Sequence, residues 1–527
     1  MNRKQIKNIL GELPYTAELY WYLVQRHKPW QAHFNLDFLK SELPEAVRQA
    51  KGFSDAAGSG KKVFLFTSLH FWIDFTMLLG VVLAGKGHKV TFSFLPYASW
   101  DKPIQRFELR KQNLYARQVL SAASSILKVQ SLLDVKPFSK NLSPDLMEAV
   151  EQVSLYDAQY TLQVEDISKD EEIYKLRYQR NLEAARNARA WLVAHQPDIV
   201  ILPNGTIQEM GIVYRVAQHL GIPRVTFEFS DQRERIWLAQ NAEIMQHDTD
   251  DLWTARGDEP LTDAQVQQLQ DLFTARKGAK TWKNFSRKWQ GTPTEGGTAV
   301  RKKLTLDDRP VILLATNVLG DSLTLGRQIF SESMAEWIER TVMYFLDRKD
   351  VQLVIRVHPG ETLIHGTSMV DVINEKLEEI PDHIHLVKPE EKINTYDLLE
   401  ITDLGLVYTT TVGLEMTMRG IPVVVSGKTH YRNRGFTTDP ESWDNYFEVL
   451  QSILRDIKAA RLSQEQVELS WRYAYLFFFE FPRPFPWRLS DFREEFKNRP
   501  IEYVLSPEGE KRYGMTMKAL VGKPLEW

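Results

Sequence analysis

The chain has 527 residues, 43% hydrophobic and 26% charged, with a formal net charge of -3 and no cysteine. That length suits two domains rather than one core. The balanced charge leaves no electrostatic footprint for nucleic acid, and the missing thiols exclude disulfides and thiolate metal sites, as suits a reducing cytoplasm.

The opening stretch, MNRKQIKNILGELPYTAELYWYLVQRHKPW, lacks the long apolar core of a signal peptide. Val63–Gly85 is the longest apolar segment. Its internal His70 and Asp74, and its division into a strand-like and a helix-like half, predict strand, turn and helix rather than a membrane span. KVTFSFLP then completes a βαβ unit. From about Lys111 to His195 the Ala-, Leu-, Glu- and Arg-rich pattern predicts helices inserted in this domain. PDIVILPNG, IQEMGIVYRVAQHLG and IPRVTFEFSD form a second βαβ unit, closing an N-terminal domain over 1–240.

Residues 241–308 read as an interdomain connection. Within it LTDAQVQQLQDLFTARK is a capped helix and WQGTPTEGGTAVRKK is loop-like. Strand and helix patterns alternate again over 309–455. RPVILLATNV, VQLVIRVHPGE, IHLVKP, the end of NTYDLLEITDLGLVYTTT, and IPVVVSG are the strands. A helix is expected near Ser331–Asp347 and another over VGLEMTMRG. The tail, 456–527, reads as helical, and its aromatic run YAYLFFFEFPRPFPW is expected to pack back on both domains. No fixed-period repeat is present.

The expected fold is α/β, with two Rossmann-like, doubly wound domains facing a central cleft. Ligands in such sheets bind beyond the carboxyl ends of the strands. Four C-terminal-domain strands end in polar residues: Thr316 and Asn317; His358, Pro359 and Glu361; Thr409, Thr410 and Thr411; and Ser426 and Gly427. Threonine hydroxyls beside a helix start suit a phosphate or diphosphate, and Gly413 permits close approach. Glu415 lies one turn beyond Thr411, where a carboxylate suits ribose hydroxyls. His358 suits a phosphate or a base. Each residue alone also has a plain structural reading: a threonine N-cap, a first-turn acid, a His-Pro turn. The convergence of four strand ends is what marks a site.

ATNVLGDS, RVHPGE, YTTTVGLEMTMRGIPVVVSG and THYRNRGFT resemble the bacterial capsule polysaccharide biosynthesis family, as does ILPNGTIQEMGIVYRVAQHLGIPRVTFE. Those proteins are GT-B-like glycosyltransferases and include Kdo transferases. The likeness covers roughly 198–228 and 311–438. It implies a nucleotide-sugar donor held by the C-terminal domain, CMP-linked such as CMP-Kdo in preference to UDP-linked. His358 and Pro359 would meet the nucleotide, Thr409, Thr410 and Thr411 its phosphate, and Glu415 the ribose, with Ser426 and Asn317 lining the same strand ends. The implied acceptor is a surface polysaccharide or glycolipid. The implied reaction is inverting, with no metal and no cofactor. The implied setting is cytoplasmic, with peripheral contact to the inner membrane or to capsule assembly proteins and none to nucleic acid.

The chain departs from related CMP-sugar transferases in lacking an acidic cluster ending in Gly, so the general base must come from elsewhere. The N-terminal strand ends offer, in order of preference, Glu228, Asp231 and Asp74, with Asn204 as an acceptor contact. Glu228 alternates with Phe227 and Phe229, and burial there would raise its pKa. Arg434, in HYRNRGFT, suits a donor phosphate or carboxylate. Three other readings stay open: a UDP-sugar 2-epimerase-like enzyme, a glycerol-phosphate transferase-like enzyme, and a catalytically degenerate scaffold of an assembly complex.

Overall fold

Apolar runs with no alternation form strands buried on both faces, the pattern of a parallel sheet covered by helices. The computed structural model describes residues 3–28, 30, 32–54, 58, 60–285, 291–363, 366–377 and 379–527. It divides the chain into two units: 1–157, 168–245 and 483–526 form unit 1, and 158–167, 246–482 and 527 form unit 2.

In unit 1, Lys62–Ser68 (β1) pairs in parallel with Lys89–Leu95 (β2) and with Ile199–Pro203 (β4). Lys128–Ser131 (β3) extends the sheet in parallel beyond β2, and Arg224–Phe229 (β5) does so beyond β4. Arg235–Gln240 (β6) turns back antiparallel to β5, and the short strand Arg483–Pro484 closes that edge. β3 interrupts the region read as helical over 111–195; its four residues, KVQS, are too short and polar to stand out as a strand.

The apolar segment Val63–Gly85 becomes β1 and helix His70–Gly85. From Trp72 to Gly85 every residue of that helix is buried. A helix apolar all round must be covered all round. β1, β2, helix Asp37–Ser54 and helix Ile501–Leu505 provide the cover. No described helix is long and apolar enough to cross a membrane.

A buried ionic group also braces unit 1. Arg177 sits between Asp157 (Nε to Oδ2, 2.9 Å) and Glu209 (Nη2 to Oε1, 2.8 Å), all three fully buried. Asp157 Oδ1 also accepts from the Gln208 backbone N–H at 2.5 Å. Burial raises Asp157, whereas at Glu209 the Arg177 and Arg180 charges outweigh the upward push of burial and lower it. The group pins the start of helix Gln208–His219 to helices Pro144–Leu162 and Glu172–His195.

Unit 2 holds a five-stranded sheet. Val423–Val425 (β11), Leu404–Val407 (β10), Val311–Ala315 (β7), Gln352–Arg356 (β8) and Ile384–Val387 (β9) lie in that spatial order, every pair parallel. Helix Met334–Leu346 is capped by the Ser333 hydroxyl, which accepts from Glu336 N at 2.9 Å. Helix Asp263–Lys277 starts with the reciprocal Thr262/Gln265 capping box.

The segment expected as a connection, 241–308, lies in unit 2 from Gln246 onward. Its loop-like stretch, of which Trp289 and Gln290 fall outside the described residues, ends in helix Gly297–Lys303. Of the tail, residues up to Pro482 belong to unit 2 and Arg483–Glu526 to unit 1. Its aromatic run is buried: Phe477, Phe478 and Phe481 in unit 2, and Phe485 and Trp487 in unit 1.

Candidate active site at the strand ends

Parallel pairing brings the four polar strand ends of unit 2 to one edge of its sheet, and two side chains lace that edge together. Thr316, next after β7, accepts from the His358 backbone N–H through Oγ1 at 3.0 Å, tying β7 to the end of β8. Asn317 accepts from the Thr409 backbone N–H through Oδ1 at 3.2 Å, tying β7 to the end of β10. Ser426 N and Gly427 N donate to Val407 O (2.9 Å) and Tyr408 O (3.1 Å), tying in β11.

Within this edge His358 and Pro359 are exposed. The Gly360 N–H donates to His358 Nδ1 at 3.0 Å, so in the neutral ring the proton sits on Nε2. Thr410 and Thr411 are half-buried. Thr409 is buried, and its Oγ1 finds no hydrogen-bond partner among the described residues. A buried hydroxyl without a partner is costly. Ser426 is fully buried behind the edge.

Three residues read from the sequence as ligand contacts are engaged elsewhere. Glu415, expected at a ribose, is 4% exposed and ion-paired with Arg276 (Oε1 to Nη1, 2.8 Å), itself 1% exposed. Turning it toward a ligand would strand the arginine charge in the interior. The close approach at Gly413 is that of Tyr431: a methyl group there would collide with the Tyr431 hydroxyl and meet Val407 Cγ2 at 3.0 Å. That hydroxyl donates to Thr410 O at 2.6 Å and so shapes the threonine loop from below. Arg434 pairs with Asp250 and donates to Thr249 Oγ1 at 3.3 Å, at the start of helix Asp250–Arg256. Arg356, at the end of β8, is buried, with Nη1 donating to Lys388 O at 2.8 Å. Glu361 caps helix Met369–Lys376, accepting from Ser368 Oγ (2.7 Å) and Met369 N (3.1 Å).

In unit 1 Glu228 and Asp231 lie at the end of β5, whereas Asp74 lies within helix His70–Gly85. Asn204, directly after β4, adopts a left-handed conformation (φ 59°). Its Oδ1 accepts from Thr206 N (3.0 Å) and Ile207 N (3.3 Å), which fixes the turn into the next helix. Its amide then lies 3.4 Å from Glu228 Oε2, while Phe229 N donates to Glu228 Oε1 at 3.0 Å. Glu228 is half-buried, and burial pushes its carboxyl up to about 7 despite those two bonds. Trp72 stacks on Phe229 with centroids 5.2 Å apart, which lays the start of helix His70–Gly85 beside the end of β5. Asp74, on that helix, is 5% exposed, and burial pushes it up to about 7 against the pull of Arg493. Asp231 lies in the turn from β5 to β6, half-buried. The structure thus joins Asn204 with Glu228, whereas Asp74 is enclosed within its helix packing. Among the described residues no cluster of three or more His, Asp or Glu has the makings of a metal site.

Sequence reasoning missed Arg276 and Tyr431, the two residues that decide what Glu415 and Gly413 do. Arg276 lies 139 positions from Glu415 and Tyr431 lies 21 from Thr410, so no local motif links them.

This combination defines a class: an α/β protein of two Rossmann-like units with polar residues at the strand ends of each. Residues 273–464 match the family model described as capsule polysaccharide biosynthesis protein, so the likeness seen in the sequence motifs holds across most of unit 2. No curated protein sequence matches the chain. Among solved structures the chain is similar to the β-Kdo 2,4-transferase KpsC of Thermosulfurimonas dismutans, at 15% identity and a TM-score of 0.35, over 52% of this chain and 78% of that one. The β-Kdo 2,7-transferase KpsC of the same organism gives 11% identity and a TM-score of 0.33, over 59% and 88%. The UDP-GlcNAc 2-epimerase of Neisseria meningitidis gives 12% identity and a TM-score of 0.26, over 80% and 100%.

The packing of Gly413 makes a direct prediction. Gly413→Ala should destabilise the protein by about 1–3 kcal/mol through overpacking. In a double-mutant cycle read by urea denaturation, Tyr431→Phe should recover part of that loss by removing the colliding oxygen. Strict additivity would contradict the contact.

Proposed function

We propose that the chain is a glycosyltransferase that moves a sugar from a nucleotide donor to a surface polysaccharide or glycolipid acceptor. The observation that carries this reading is the laced edge of unit 2, where Thr316 and Asn317 tie the strand ends at His358 and Thr409 to β7 and the Thr409 hydroxyl is buried with no partner among the described residues. The capsule-family match over the same residues supports it. The donor class is CMP-linked, such as CMP-Kdo, in preference to UDP-linked, on the likeness of His358-Pro359 and Thr409–Thr411 to the nucleotide and phosphate motifs of CMP-sugar transferases. Glu415 has no part in donor binding here, given its pairing with Arg276.

For an inverting transfer, the acceptor hydroxyl oxygen forms the new bond to the anomeric carbon as the bond to the nucleotide phosphate breaks. A base takes the acceptor proton, and the phosphate leaves with the electron pair. We assign the base to Glu228, with Asp231 and Asp74 behind it. An acid raised to about 7 is matched to proton abstraction near neutral pH, and Asn204 orients it. The phosphate charge falls to the threonine hydroxyls and to His358 Nε2–H, and the reaction uses no metal.

Thermal unfolding should single out one nucleotide. CMP, but not UDP or GDP, should raise the melting midpoint, since a ligand that binds only the folded state stabilises it. His358→Ala and Thr410→Ala should each abolish the shift. A shift with UDP alone would move the donor class, and no shift with any nucleotide would overturn the reading.

A base must be deprotonated to act, and burial holds the Glu228 proton on up to about pH 7. Transfer from CMP-Kdo should therefore rise with pH through that value. Glu228→Gln should lower kcat by about 100-fold or more while keeping the nucleotide-induced midpoint shift. Unchanged kcat in that variant would pass the role to Asp231 or Asp74.

A further inference from the structure

The first helices of unit 1 carry an apolar surface that nothing in the described chain covers. Eight of the fourteen large hydrophobic side chains exposed among the described residues lie between Ile9 and Val24, including Tyr15 (73% exposed), Leu19 (57%), Tyr22 (57%) and Leu23 (80%). Helix Thr16–Tyr20 runs on through a wider turn over Trp21–Gln25. Its inner side is already satisfied: Ala17 and Trp21 are buried, with Trp21 edge-on to Trp30 (5.7 Å) and Tyr115 (6.5 Å). Helical spacing puts Leu19, Tyr22, Leu23 and Arg26 on the opposite side, and Tyr15, which precedes the helix in a left-handed conformation, adds a further exposed ring. A helix apolar on both faces is ordinarily buried on both, and a patch of this kind marks an interaction surface.

The charges around the ridge say what it meets. Its two acids are neutralised inside the unit, Glu12 by Arg106 at 2.9 Å and Glu18 by Arg110. Arg26, His27 and Lys28 follow directly, exposed and with no ion pair among the described residues. The surface left over is leucine and tyrosine beside uncompensated cations. A contact between two copies through this face would crowd those same cations into one interface.

We infer that the ridge from Ile9 to Lys28 docks the protein on an anionic lipid surface. The leucines and tyrosines enter the boundary between headgroups and acyl chains, and Arg26 and Lys28 meet lipid phosphates. The inference stands apart from the sugar-transfer reading, since it uses none of the strand-end residues.

Co-sedimentation of the full chain with vesicles tests it. The protein should bind vesicles of mixed phosphatidylcholine and phosphatidylglycerol, less so as salt rises, and bind pure phosphatidylcholine weakly. Leu19→Glu with Leu23→Glu should reduce partitioning by about tenfold or more, and Arg26→Glu with Lys28→Glu should remove the preference for phosphatidylglycerol. Both variants should keep the wild-type melting midpoint, because the altered side chains face solvent. Equal partitioning of variants and wild type, no binding at low salt, or a ridge-dependent change in oligomeric state without vesicle binding would each overturn the inference.

Discussion

Parallel pairing makes every strand of a sheet deliver its last residue to the same edge, and the chemistry assigned to this protein depends on that constraint. In unit 2, β10, β7 and β8 lie side by side, so Thr316, Asn317, His358 and Thr409 become neighbours although they span almost a hundred positions. Thr316 Oγ1 and Asn317 Oδ1 then convert neighbours into a rigid edge, because each takes up a backbone N–H that the ladder no longer pairs. In unit 1 the same logic puts Asn204 at the end of β4 beside Glu228 at the end of β5.

Much of this was legible because it is periodic or terminal. Short apolar runs such as VILLA, alternating with longer helical patterns, read as strands covered on both faces, and the polar residues that follow them as strand ends. The aromatic run from Tyr473 to Trp487 could only be buried on pain of aggregation, and it is. The strands that escaped, β3, β6 and Arg483–Pro484, lie toward the margins of the sheet: KVQS and the Arg-Pro pair are short and polar, and the four apolar residues Ile236–Ala239 of β6 stand between Arg235 and Gln240.

What was not legible is which polar side chain is taken. Glu415 has the spacing of a ribose ligand and Arg434 the charge of a phosphate ligand, yet each is satisfied by a partner more than a hundred positions away. Such pairs leave no trace in local spacing, because an ion pair needs only that its members meet in the fold. Gly413 is similar: a glycine after a threonine run reads as room for a ligand, but the room is filled by Tyr431. The three threonines and the exposed His358 are the strand-end residues assigned to a donor.

Hydrogen–deuterium exchange of the whole chain with and without CMP tests the laced edge as the nucleotide site most directly. Protection is predicted in the segments around Thr316–Val318, His358–Glu361, Thr409–Gly413 and Ser426–Lys428, where backbone N–H groups meet at the edge. Unchanged exchange in all four segments at saturating CMP, or protection confined to the unit 1 strand ends around Asn204 and Glu228, would contradict it.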